Sequence, residues 1–419
     1  MAEPTEPGVR RALTSPPQRT AYAVWELTLA CNLACSHCGS RAGSARQHEL
    51  STAEALDVVD QLAELGIVEV TLIGGEAFLR SDWLQIAAAI TSRGMRCTLT
   101  TGGYKLNSTM AQRMRAAGIV QASISIDGME ETHDALRGRA GSWRSCFRTA
   151  EHLRCAGIDA TCNTQVNRRT IVDLPELYQE LLRAGVTAWQ LQLTVPLGRA
   201  ADEPDLLLQP CEFLVVFPVL ARIAERAAAD GIRLYAANNL GYHGPYEQLL
   251  RSPQGDQSWN GCQAGLSTIG IEADGTVKGC PSLPTAAYSA GTVRKQRIAE
   301  MLSTAPEMTF NLLSVQPTDQ TWGYCHACVH KETCRGGCSW TTHTLFGRRG
   351  NNPYCHHRAL ELHSAGLRER LIRIEPAPGL PFDYGRFTLV TEADDTEWPP
   401  DSRRRLTADD VRWPASLFA

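Results

Sequence analysis

The chain has 419 residues, 41 Lys and Arg against 45 Asp and Glu, a formal net charge of -4, and fifteen cysteines. Charges of both signs are spread along it, which excludes an electrostatic footprint for nucleic acid, and nowhere do about eighteen apolar residues run together as a membrane span needs. A chain of this length buries a core without covalent staples, and an odd number of thiols cannot pair completely, so clustered cysteines point to metal or catalysis before disulfides.

Residues 1–19 are proline-rich and lack the apolar core of a secretory signal; they read as a disordered tail, and the chain as cytoplasmic. From 20 to 235, short apolar runs alternate with amphipathic stretches, the pattern of β-α units around a parallel sheet. Strands are predicted over 22–29, 68–74, 95–100, 119–126, 158–166 and 187–195. The first helix opens on a capping box, Ser51 with Glu54, and repeats Leu56, Val59, Leu62 and Leu65 until Gly66. Further helices are predicted over 83–92, 107–117, 142–156, 174–184 and 211–229. Six such units predict an α/β fold, a partial (β/α)6 TIM-like barrel and not a closed eight-stranded one.

Five polar stretches follow these strands directly: "CNLACSHC" at 31–38, "GGE" at 74–76, "TTGG" at 100–103, "SIDG" at 125–128 and "PLGRA" at 196–200. The carboxyl ends of parallel strands share one rim, so all five are expected to face one cavity. Beyond 235 the rhythm breaks. Residues 236–360 form a loop-rich region with seven cysteines, and 361–419 hold the end of a helix predicted over 356–373 and a charged, Pro-rich tail that is partly ordered at best.

Three thiols spaced CxxxCxxC on one loop can hold three corners of an iron-sulfur cubane and leave one iron open, or form half of a zinc site. With GGE and SIDG on the same rim, the pattern resembles the radical S-adenosylmethionine superfamily. The resemblance implies that Cys31, Cys35 and Cys38 bind a [4Fe-4S] cluster whose open iron chelates S-adenosylmethionine, and that one electron releases a 5'-deoxyadenosyl radical. It implies cofactor contacts from Gly74, Gly75 and Glu76, from Ser125 and Asp127, from Arg137 and from His37, which stands where the family usually has an aromatic residue. "TTGG" departs from the family's TNG, so an amide contact is expected to be lost at Gly102.

Asp274-Gly275 marks a hairpin that brings Cys262 and Cys280 together. Cys325, Cys328, Cys334 and Cys338 then run as CxxCx5Cx3C before Cys355; CxxC pairs also make zinc ribbons. The whole order resembles the SPASM module of peptide-modifying radical enzymes. By that resemblance Cys325, Cys328, Cys334 and Cys355 hold one auxiliary [4Fe-4S] cluster, and Cys262, Cys280 and Cys338 another, completed by an open iron or by Asp256. The implied function is maturation of a ribosomally synthesised peptide, with a flavodoxin or ferredoxin as electron donor and a separate leader-binding protein. A sulfatase-maturing enzyme is the alternative, disfavoured by Pro281 where that branch has an Asp; a non-catalytic cluster protein is the alternative of another class. Cys97, Cys146, Cys155, Cys162 and Cys211 are expected to be buried hydrophobes, and Tyr324, Trp340 and His343 to pack around clusters.

Overall fold

A computed structural model describes residues 21–251, 258–312, 320–400 and 403–415; the tail predicted over 1–19 and the proposed ligand Asp256 lie outside the described residues. The six predicted strands form as β1 (Tyr22–Glu26), β2 (Glu69–Ile73), β3 (Arg96–Thr101), β4 (Gln121–Ser125), β5 (Asp159–Val166) and β6 (Ala188–Leu193), each parallel to the next. A seventh, β7 (Arg233–Ala236), adds to β6; its four residues are too few to show a period. The expected partial (β/α)6 barrel forms, with β7 added at its edge.

The sheet also continues past the expected boundary at 235. β8 (Thr268–Ile271) returns to lie parallel to β1, followed by β9 (Thr276–Lys278) and β10 (Ser289–Thr292), giving the order β10-β9-β8-β1-β2-β3-β4-β5-β6-β7. Asp274-Gly275 makes the predicted turn between β8 and β9, with Gly275 at φ 87° and Thr276 N donating to Asp274 Oδ1 at 3.0 Å.

Helices α1 (Thr52–Glu64), α2 (Trp83–Ser92), α3 (Ser108–Ala116), α4 (Glu130–Arg137), α5 (Ser142–Cys155), α6 (Leu174–Arg183), α7 (Arg199–Asp202) and α8 (Phe213–Ala229) follow the strands. The capping box at Ser51 and Glu54 is present. α8 is long and apolar, and spends Phe213, Val216, Leu220 and Ile223 on the core. The layer between sheet and helices is closed by Ala23, Trp25 and Leu27 with Val58, Val59 and Leu62 of α1, and it continues strand by strand to Trp189 and Leu191. Cys97, Cys146, Cys162 and Cys211 are buried there, whereas Cys155, the last residue of α5, is exposed.

The C-terminal expectation is corrected most. The helix predicted over 356–373 stops at Ser364, Gly366 turns the chain at φ 71°, and β11 (Leu367–Glu375) pairs antiparallel with β12 (Arg386–Ala393). Charges that read as a solvated tail instead pair across this ladder: Arg368 Nε and Arg370 Nε reach Glu392 Oε1 at 2.8 and 2.7 Å.

Along each strand the residues between the core positions face the concave side. Its lower part is cross-linked: Tyr22 OH lies 2.6 Å from Thr71 Oγ1, which lies 2.7 Å from Thr98 Oγ1. Nearer the rim, Thr100, Ser123, Ser125, Asn163, Gln165, Gln190 and Gln192 carry no side-chain hydrogen bond or ion pair to another described residue. Over β3–β6 these rim residues are hydroxyls and amides, while the side of β1 and β8 carries Glu26 and Glu272 paired with Arg46.

Candidate active site

The loop leaving β1 carries Cys31, Cys35 and Cys38, and backbone bonds to its neighbours set its shape. Cys31 N donates to Gly43 O at 3.0 Å, Ala34 N to Arg137 O at 3.0 Å and Ser36 N to Leu136 O at 2.8 Å. Each sulfur meets a donor: Leu33 N to Cys31 Sγ at 3.4 Å, Ala42 N to Cys38 Sγ at 3.4 Å, and Arg137 Nη1 to Cys35 Sγ at 3.8 Å. Such donors favour thiolates, the form that binds iron. Burial pushes Cys31 up to about 12 and Cys35 upward, a cost that the charge of bound metal removes.

The GGE loop is seamed to the same segment. Gly75 N donates to Thr28 O and Glu76 N to Ala30 O, both at 2.8 Å. A Cβ on Gly74 would lie 2.3 Å from Thr28 O, and one on Gly75 2.3 Å from Ala30 O, so it is this chain's own backbone that both glycines must approach. The buried Glu76 accepts from Thr101 Oγ1 at 2.6 Å and from Gly102 N at 2.5 Å, and burial pushes its carboxyl up to about 7. Gly102 therefore contributes through its N–H. Any side chain there would meet Leu33 Cδ1 at 2.4 Å.

Asp127 and Arg137 do not stand open to a cofactor. Asp127 is fully buried, and its Oδ2 lies 2.6 Å from Arg137 Nη2 and 3.1 Å from His37 Nε2, while Oδ1 accepts from Gln165 N at 2.8 Å. Burial alone would raise the carboxyl; Arg137 and His37 hold it well below the usual carboxylate range. His133, pushed down to about 3 by burial and then by Arg137, stays neutral and accepts from Asp127 N at 3.0 Å. His37, Asp127 and Arg137 together clamp the thiol loop to the ends of β4 and α4. Ser125, at the end of β4, remains partly exposed on the concave side, and its hydroxyl has no hydrogen-bond partner among the described residues.

Two positioning residues lay outside the predicted set. Arg199 Nε donates to Cys35 O at 2.6 Å and its N–H to Cys38 O at 3.0 Å; its only sequence signal is its place in "PLGRA". Glu49 Oε1 accepts from Thr28 Oγ1 at 2.9 Å and from Leu29 N at 3.0 Å, and has no sequence signal at all.

In the second region Cys334 and Cys338 share one small core, with Cys262 and Cys355 packed against it. Cys338 is pushed up to about 12 by burial, then by Cys262 and Cys280. Cys334 is pushed up to about 12 by burial and by Cys325 and Cys328, and Cys355 upward by burial and by Cys334 and Cys325. Among the described residues no three His, Cys, Asp or Glu side chains converge on a point as a single metal ion requires. Of the aromatic residues singled out, Trp340 packs beside Cys262 in two small cores, Tyr324 hydrogen-bonds Glu361, and His343 lies between Tyr288 and Tyr384.

Residues 25–181 match the family model of the radical SAM superfamily. An AdoMet-dependent heme synthase of Methanosarcina barkeri is 30% identical over 370 residues, covering 83% of this chain and 98% of that protein. The mycofactocin maturase MftC of Mycobacterium ulcerans is 31% identical over 318 residues, 75% of this chain and 81% of its own. The solved structure of anSMEcpe with bound AdoMet and Cp18Cys peptide superposes with a TM-score of 0.63 at 17% identity, over 82% of this chain and 96% of that one.

Proposed function

Since this chain belongs to the radical SAM superfamily, we propose that it turns the radical chemistry of that superfamily on a ribosomally synthesised peptide. The observation that carries the reading is the set of three thiols at one rim loop, each sulfur facing an N–H donor. A [4Fe-4S] cluster held by Cys31, Cys35 and Cys38 would supply the electron that splits S-adenosylmethionine to a 5'-deoxyadenosyl radical. The protein's own part is to hold the loop rigid through the His37, Asp127 and Arg137 clamp, to seam it to Gly74–Glu76, and to present the concave face to substrate. Ser125 is the predicted cofactor contact whose side chain remains open to such a role.

The kinship to a maturase supports the peptide, and so does the concave lining: the hydroxyls and amides of Thr100, Ser123, Asn163, Gln190 and Gln192 match the donors and acceptors of peptide bonds. The second region would hold two auxiliary [4Fe-4S] clusters, on Cys325, Cys328, Cys334 and Cys355 and on Cys262, Cys280 and Cys338. A flavodoxin or ferredoxin would supply electrons, and a separate leader-binding protein would present the precursor peptide, in the reducing cytoplasm. The heme synthase kinship favours a second reading, an iron porphyrin as substrate.

Both readings are tested with anaerobically reconstituted enzyme and dithionite, offered either the short peptides encoded beside its gene or an iron porphyrin. The peptide reading expects 5'-deoxyadenosine together with a mass change in a peptide. A changed porphyrin would establish the second reading, and no deoxyadenosine under any electron donor would leave a non-catalytic cluster protein.

A further inference from the structure

Between β11 and β12 the chain leaves the hairpin and runs back to the barrel rim. Phe382 N donates to Gly39 O at 3.1 Å, one residue past Cys38, and Gly198 N donates to Asp383 O at 2.7 Å. The buried Asp383 side chain faces two ways: Oδ1 accepts from Arg41 Nε at 2.8 Å, and Oδ2 accepts from Leu380 N at 2.8 Å and from Gly379 N. Arg41 is a non-glycine residue at φ 50°, a conformation that must be held by its surroundings. Its N–H donates to Cys38 O at 3.3 Å, and its Nη2 to Gly198 O at 3.0 Å. On the other side, Tyr384 OH lies 2.9 Å from His343 Nε2, on the helix Ser339–Phe346 that follows Cys338, and Lys278 Nζ lies 3.9 Å over the Phe382 ring.

Three consecutive residues thus touch the loop of the first thiol set, the strand leading to Cys280 and the helix leaving Cys338. We infer that Phe382–Tyr384 is a strap locking the first thiol loop to the second region, and that Asp383 is a positioning residue acting on Cys38 through Arg41. A free tail would have no reason to bury a carboxylate against a strained arginine. The strap joins the two regions where they face each other, so the geometry of the thiol loop depends on a segment more than three hundred residues downstream.

The direct test is backbone hydrogen exchange in the full chain, which needs neither substrate nor turnover. Asp383→Ala should speed exchange at Cys38–Ala42 and Gly198–Ala200 about tenfold while the amides of β2–β5 keep wild-type rates. Tyr384→Phe should speed it instead in Ser339–Phe346. Asp383→Asn, which keeps an acceptor toward Arg41, should recover part of the protection in the thiol loop. Exchange confined to 376–385 would show a segment merely resting on the surface, and a uniform rise including β2–β5 would show a general stability residue; either overturns the inference. If Asp383→Ala does not fold, Asp383→Asn and Tyr384→Phe still decide, each by exchange at its own end of the strap, since Arg41 keeps its pair with Asp202 in both. A second readout rests on the radical SAM reading: in reduced holoenzyme the change in electron paramagnetic resonance on adding S-adenosylmethionine should need several-fold more cofactor in Asp383→Ala. If wild type shows no such change, that reading fails, while the exchange data still decide on the strap.

Discussion

The barrel and the second region both gather cysteines, yet they are built on opposite terms. In the barrel, the thiol loop sits on a rim that is already complete: a sheet and helix layer packed with Trp25, Leu62, Ile86 and Trp189 carries it, and none of the three thiols belongs to that core. In the second region β8 and β9 share the main core through Ile269, Ile271 and Val277, but the thiols themselves help to build two small cores apart from it. Cys334 and Cys338 pack with Tyr242 and Trp259, and Cys262 and Cys280 line the cluster of Ala264, Leu283, Tyr288 and Phe310. On the proposed function, metal at the first loop would have a chemical role on a scaffold that stands without it, whereas metal on the second region's thiols would also hold the loops around those small cores.

The sharpest way to break this contrast is to remove one thiol from each region. Cys31→Ala should abolish 5'-deoxyadenosine formation and lower bound iron from about twelve to about eight per chain, while proteolysis finds both regions intact. Retained turnover would end the assignment of the loop. Cys338→Ala should lose about four irons as well, but here the loops at 258–265 and 320–340 should open to protease while the ten-stranded sheet resists. Equal protease resistance in the two variants would erase the difference between the regions.

Next in size is the clamp beneath the first loop. Arg137→Leu leaves Asp127 buried without its closest cation, and breaking such a pair costs about 3–5 kcal/mol. Chemical denaturation of the apo chain measures it, and a loss below about 1 kcal/mol would mean that Asp127 is not held by Arg137.

The smallest effect lies at the seam where β8 meets β1. Glu26 accepts from Ala273 N at 3.2 Å, and burial pushes it up to about 7 from an ordinary 4.5, with Arg46 opposing and Glu272 adding. Because the folded value is the higher one, this group's stabilisation is complete below about 4.5 and is lost as pH rises through about 7. The melting temperature should therefore fall between pH about 5 and about 8, and Glu26→Gln should flatten that fall. An unchanged profile in the variant would remove Glu26 from the seam.

Much of this was readable in advance wherever the cause is local. Six strands and the helices over 83–92 and 142–155 follow from apolar periodicity, and the β8–β9 hairpin from Asp274-Gly275. What escaped depends on partners distant in the chain. α4 has only two turns of amphipathic pattern, and β7 only four residues. Arg368, Arg370 and Glu392 read as a solvated tail until a ladder pairs them. Asp127 and Arg137 read as ligands of a cofactor because SIDG and HDALRG say nothing of a contact between them at 2.6 Å.

By itself, then, the sequence determined the chemistry at stake and the order of its parts, since the number and spacing of thiols and the repeat of apolar residues are properties of neighbours along the chain. Only the tertiary structure decided which charges are spent on one another, why Gly74 and Gly75 tolerate no side chain, and that the C-terminal segment reaches back to Gly39. Those are contacts between residues far apart in the chain, and closing such loops leaves no periodic trace in the segments that meet.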